Sequence, residues 1–208
     1  MRAFAILLAI GACNTARGVP WLHGLDRVVS STGIVAPHAP SDEIADDCGV
    51  AASRPIELVA DVAPGAGRET IVASYSSGVT VFDSEDHVVA ELPGTPCQGT
   101  ADELDAVAVG HAYGDTLLVI VATSGGHRET ETSLSLVRAG ATLDPVFTAV
   151  VATRTNDRTI DGAIYLFPGG LLYQRPGGEL VPWRVDPGSG IYVPLLPERH
   201  EEPRVARR

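Results

Sequence analysis

From residue 56 to residue 195 the chain is cut into apolar, β-branched runs of about 4 to 8 residues, each bounded by Gly, Pro, Asp or Ser. Helices need longer stretches with an apolar stripe every third or fourth residue, and no amphipathic helix stands out here. The pattern predicts an all-β domain of about 12 short antiparallel strands. The expected strands are Ile56 to Val62, Thr70 to Ser74, Val79 to Phe82, His87 to Leu92, Ala106 to Val109, Leu117 to Ala122, Ser133 to Val137, Val146 to Ala152, Ala163 to Phe167, Leu171 to Gln174, Glu179 to Val185 and Ile191 to Leu195. Ser77-Gly78, Gly125-Gly126, Gly169-Gly170 and Gly177-Gly178 offer the positive φ that tight hairpin turns require.

A weak internal repeat organises these strands. Ile71-Val72-Ala73-Ser74 recurs 49 residues on as Ile120-Val121-Ala122-Thr123, and each copy precedes a Ser-Gly step. Grouping the strands in fours gives propeller-like units near 56–92, 106–152 and 163–195, each the size of a four-stranded blade. Rings close with about 4 to 8 blades, so three units leave open edges. Three solutions are expected: a strand added from Leu25 to Val29, two copies completing a ring, or a β-sandwich or barrel in place of a propeller.

Asp61 to Ala73, followed by Gly78-Val79-Thr80-Val81-Phe82-Asp83, resembles a blade of the FG-GAP and VCBS-type β-propellers of secreted and surface proteins. In that family a loop aspartate cluster binds calcium. Asp61 and Glu69 match acidic positions, but Ala63 and Gly65 stand where two more carboxylates are expected. A hard cation wants roughly 6 to 8 oxygens, so no metal and no cofactor is predicted.

At the start, Arg2 precedes the apolar run Phe4 to Ile10, and Ile10-Gly11-Ala12 leads to Cys13. This run is far short of the ~20 residues that span a bilayer. Residues 10–13 resemble the lipobox of bacterial lipoproteins. The resemblance implies a signal peptide over 1–12, diacylglyceryl and palmitate chains on Cys13, and a membrane anchor in the cell envelope. In the family's pattern Asn14 is not the inner-membrane retention residue, which implies the outer membrane.

Residues 13–47 mix Gly, Pro, Ser and acidic residues and read as a lipid-anchored tether, with only Leu25 to Val29 looking ordered. The all-β domain is expected over 48–196, and the charged stretch 197–208 as a solvated, disordered tail. In an oxidising envelope, Cys48 and Cys97 remain as an even pair once Cys13 carries lipid, so a disulfide is the simplest expectation; free thiols or a metal site are the alternatives.

The formal charge is −11 and all 15 basic residues are arginine. That balance argues against nucleic acid or an anionic lipid surface as partner, since both need clustered cations. No Gly-x-Ser-x-Gly elbow and no phosphate-binding loop is present. His111 with Asp115, and Ser124 with His127, lie close in sequence and make triad parts only if the fold adds Asp105 or Asp144. The acidic runs Asp102-Glu103 with Asp105, and Ser84-Glu85-Asp86, read as solvated turns. Trp183, Tyr165, Tyr173 and Tyr192 concentrate aromatic rings in the last unit. They suit either a glycan or protein platform or a core, and the spacing of Tyr165 and Phe167 on one strand favours the core. These readings predict a lipid-anchored, non-enzymatic binding or scaffolding module with an unknown protein or glycan partner; the alternative is an envelope hydrolase whose site assembles only in the fold.

Overall fold

A computed structural model describes residues 19–31, 55–63, 67–98, 102–126 and 128–195. Within them the chain is all-β, with 15 strands in three sheets. No helix among the described residues is long and apolar enough to cross a membrane.

The first sheet is a meander of β3 (Ile56–Ala60), β4 (Glu69–Ser74), β5 (Gly78–Phe82) and β6 (Val88–Pro93). The central sheet is built on β7 (Glu103–Ala112), β8 (Asp115–Gly125), β9 (Glu129–Ala139) and β10 (Leu143–Thr155), extended at one edge by β11 (Thr159–Asp161) and at the other by β2 (Asp26–Ser31). The last sheet runs β12 (Ala163–Phe167), β13 (Gly170–Gln174), β14 (Leu180–Val185) and β15 (Tyr192–Pro194), with β1 (Leu22–His23) added beside β12. All twelve strands expected from the sequence are present, and the units of four recur as the three meanders. The further strands are β1, β2 and β11.

Period-2 alternation explains the layering. Ala106 and Ala108 on β7 point into one core with Ile164, Leu166 and Leu171 of the last sheet. Val107 and Val109, their neighbours on the same strand, point the other way into a core with Ile71, Val79 and Val81 of the first sheet. The central sheet is therefore buried on both faces, which is why β7 and β8 read as continuous apolar runs rather than alternating ones. The first and last sheets bury the faces they turn to the central sheet, and among the described residues no further sheet packs on their outer faces.

Residues 19–31 lie in the span expected to be tether, and here they are part of the fold. β1 pairs parallel with β12 and β2 pairs antiparallel with β7, so one short strap joins the edges of two sheets. Val19, Leu22 and Leu25 are fully buried beneath it. Gly24 makes the turn between the two strands at φ +95°. The expectation of a strand from Leu25 to Val29 corresponds to β2. The signal peptide at 1–12, Cys13, Cys48 and the tail at 197–208 lie outside the described residues.

Candidate functional site

The hairpin β7–β8 separates the residues that sequence proximity grouped. Tyr113 and Gly114, both at positive φ, form its two-residue turn. At that end His111 and Thr116 face each other across the strands, with Nδ1 and Oγ1 3.2 Å apart. Asp115 turns instead toward Arg138, 3.7 Å away. Ser124 stands at the far end of β8, eight residues beyond Thr116, a separation of about 26 Å along a strand. Asp144 accepts the hydroxyl of Thr142 in the turn before β10, and His127 lies outside the described residues. The fold brings no triad together from His111, Asp115, Ser124, Asp105 and Asp144. His111 and Thr116 do line a small cleft of about 210 Å³ with Asp61, Val62 and Gly140, where the first sheet meets the central one.

The acidic run at 102–105 is no turn, because it begins β7. Asp102 is buried and accepts the backbone N–H of Gln98 at 2.7 Å and of Gly125 at 3.2 Å, tying the incoming segment to the end of β8. Asp105 is the extra residue of a β-bulge: Leu104 pairs with Ala122 and Ala106 with Val121, leaving Asp105 without an opposite residue. The bulge aims its carboxylate at the hydroxyl of Thr123, which donates to it at 2.7 Å, while Thr123 in turn lies 2.9 Å from the hydroxyl of Thr132. Partial burial pushes the Asp105 carboxyl up to about 6; the Thr123 hydroxyl opposes that rise, and the neighbouring Glu103 carboxyl adds to it. In the other acidic run, Asp83 accepts the N–H groups of Glu85 and His87, which hold its carboxyl below the usual range; 84–86 is a solvent-facing turn, as expected.

In the stretch that resembles a calcium-binding propeller turn, the described flanks use the acidic side chain on the chain itself. Glu69, only 6% exposed, accepts the backbone N–H of Val62 at 2.8 Å. Its carboxylate is thus spent on holding the loop backbone. Among the described residues no group of three or more His, Cys, Asp or Glu is arranged to hold a metal ion. Cys97 lies in the segment after β6, and the chain's other two cysteines lie outside the described residues.

The aromatic residues divide between two faces of the last sheet. Trp183, Tyr173 and Tyr192 pack edge-on around Phe147 of the central sheet, with centroids 5.0, 5.7 and 6.1 Å from it. The Tyr173 hydroxyl donates to the carbonyl of Val150 at 2.7 Å, and burial raises its pKa. These three are core, as expected. Tyr165 and Phe167 are not: Ile164 and Leu166 take the buried side of β12, leaving Tyr165 39% and Phe167 37% exposed on the opposite face. The spacing that puts both on one side is right, but that side faces out.

This outer face is the candidate site. His23 stacks on Tyr165 with ring centroids 4.7 Å apart, and register places Leu172 and Pro182 in the same cross-strand row. The row beside it carries Phe167, whose ring covers Gly170, followed by Arg184. Leu180, 50% exposed, continues the face beyond Gln174. No sequence signal separates this face from the core face, because both alternate apolar residues along the same strands.

Fold and site together define an all-β module of three stacked sheets with one apolar, aromatic-bearing face open. Comparison with protein-family models, with curated proteins and with solved structures found no match to this chain.

Proposed function

We propose that this chain is a lipid-anchored protein of the cell envelope, attached through Cys13 and acting as a non-enzymatic binding or scaffolding module. The observation that carries the binding role is the outer face of the last sheet, where Tyr165, Phe167 and Leu180 stand exposed together. Apolar side chains gathered on one face, rather than scattered singly, are what contact surfaces present. Aromatic rings add contact area at low entropic cost. The anchor rests on the lipobox-like residues Ile10 to Cys13, and Asn14 favours the outer membrane within that reading. A disulfide between Cys48 and Cys97 belongs to the same oxidising compartment.

Metabolic labelling with a palmitate analogue tests the address. Wild type is expected to incorporate label and to sediment with membranes, and Cys13→Ser to do neither. Equal labelling of the two overturns lipidation at this position.

The second reading, a hydrolase of the envelope, is favoured by one observation: Asp105 holds its proton to about pH 6 beside Glu103 and two aligned hydroxyls. A carboxyl tuned toward neutrality is suited to general acid work. A hydrolytic activity that is lost in Asp105→Asn, while the fold is retained, would establish it.

A further inference from the structure

We propose that the outer face of the last sheet docks on the outer face of the first sheet of a second copy of this chain, so that two copies close a ring of stacked sheets. The proposal rests on reading the last sheet's outer face as a contact surface, and it names the partner.

The chain contains the template for this contact. The central sheet is covered on both faces by meanders of the same construction, one from each side. The first and last sheets are built alike, and among the described residues neither has another sheet on its outer face; on the first, Val72 and Ser74 of the inner strand β4 are buried within the outward rows while the outer strands β3 and β6 carry exposed side chains. On the first sheet, register puts Val59 and Val88 in one outward row and Glu57 and Glu91 in the next. Val59 is 45% and Val88 52% exposed. Both open faces thus carry large apolar side chains in water.

Charge decides how they pair. The strand rows of the last sheet's open face carry Arg184 and no carboxylate, while those of the first sheet carry Glu57 and Glu91 and no arginine. First against first would oppose carboxylates, and last against last would oppose arginines. First against last matches them, so the contact is heterologous. A heterologous contact grows without limit unless its rotation closes. Each chain supplies three sheets, each built on a four-stranded meander, so two chains supply six, within the range of about 4 to 8 at which rings of face-packed four-stranded units close. Closure with two copies buries every open face.

Sedimentation velocity of the full-length protein in detergent tests this. Wild type is expected at micromolar concentration as a species of two chains, and Phe167→Asp and Val59→Asp are each expected to run as one chain with an unchanged circular dichroism spectrum. Because the two substitutions sit on different partners of one contact, mixing the two variants should restore a two-chain species, since one intact contact remains. Arg184→Glu should weaken the pair, and adding Glu91→Arg should recover it. A wild type that runs as a single chain overturns the proposal, as does a pair indifferent to both aspartate substitutions, or a mixture that stays monomeric. Open-ended oligomers overturn closure. If wild type is monomeric while Phe167 crosslinks to a different protein on cells, the second copy is excluded and the contact surface survives.

Discussion

The imidazole of His23 lies nearly flat on the phenol ring of Tyr165, 13° from parallel, and its Nδ1 is buried without a hydrogen-bond partner. One residue of the strap thereby completes the open face of the last sheet. Desolvation lowers its pKa from 6.5, so the unfolded chain takes up the proton first as pH falls. The contribution of neutral His23 is therefore present above about pH 6.5 and is lost as pH drops toward the folded value. Proton NMR should find a midpoint below that of a free histidine. His23→Phe keeps the stack and removes the unpaired nitrogen, so it should flatten this part of the acid limb and change neutral-pH stability by no more than about 1 kcal/mol.

Asp105 behaves with the opposite sign. Its carboxyl titrates near 6 in the folded chain against 3.8 in the reference state, so the folded state holds the extra proton and stability falls as pH rises from about 4 to about 6. Above that window the cost is constant. The shift corresponds to about 3 kcal/mol before screening at a half-exposed site, which trims it to about 1–2 kcal/mol. Asp105→Asn retains an acceptor for Thr123 and should recover that amount at pH 7 and nothing at pH 3. Urea unfolding of the two proteins at both pH values checks the sign.

The strap is expected to be a structural part of the domain. Leu25 is 3% exposed and packs over Gly110, whose missing side chain leaves it room: a Cβ there would lie 3.1 Å from Leu25 Cδ1. Leu25→Ala should cost about 2–4 kcal/mol. Gly24→Ala should also destabilise, because the residue sits at φ +95° and an added Cβ would stand 2.8 Å from the carbonyl oxygen of Leu166. Denaturant midpoints measure both, and hydrogen exchange should show the β2 amides bonded to β7 protected.

Glu69 gives a test of the loop. Removing its carboxylate in Glu69→Ala orphans the N–H of Val62 in a buried setting and should cost about 1–3 kcal/mol. Glu69→Gln, which still offers an oxygen, should cost less. A comparison of thermal midpoints separates a backbone-holding role from a charge-dependent one.

Strand content was legible because burial writes itself into a chain as alternation and Gly-rich breaks. Every run from Ile56 to Leu195 that showed this pattern is a strand. The central strands proved longer than their apolar runs: β9 reaches from Glu129 to Ala139 around the expected Ser133 to Val137, since polar residues at a sheet's end continue the ladder without entering the core. β11, with the sequence Thr-Ile-Asp, is too short to leave a periodic trace. The site was much less legible. Whether Tyr165 faces in or out depends on which side of β12 a neighbouring sheet covers, and that is decided by packing against residues far away in sequence. Asp105 owes its setting to a bulge, which shifts register without a residue type that announces it.

The central claim is that the outer face of the last sheet is a contact surface at the membrane. A photo-crosslinking residue placed at position 167 of the anchored protein on intact cells tests it most directly. The account predicts a light-dependent adduct in the membrane fraction, absent when the probe replaces Asp157 in the exposed turn after β10. Equal adducts from both positions, or none from position 167, would contradict it.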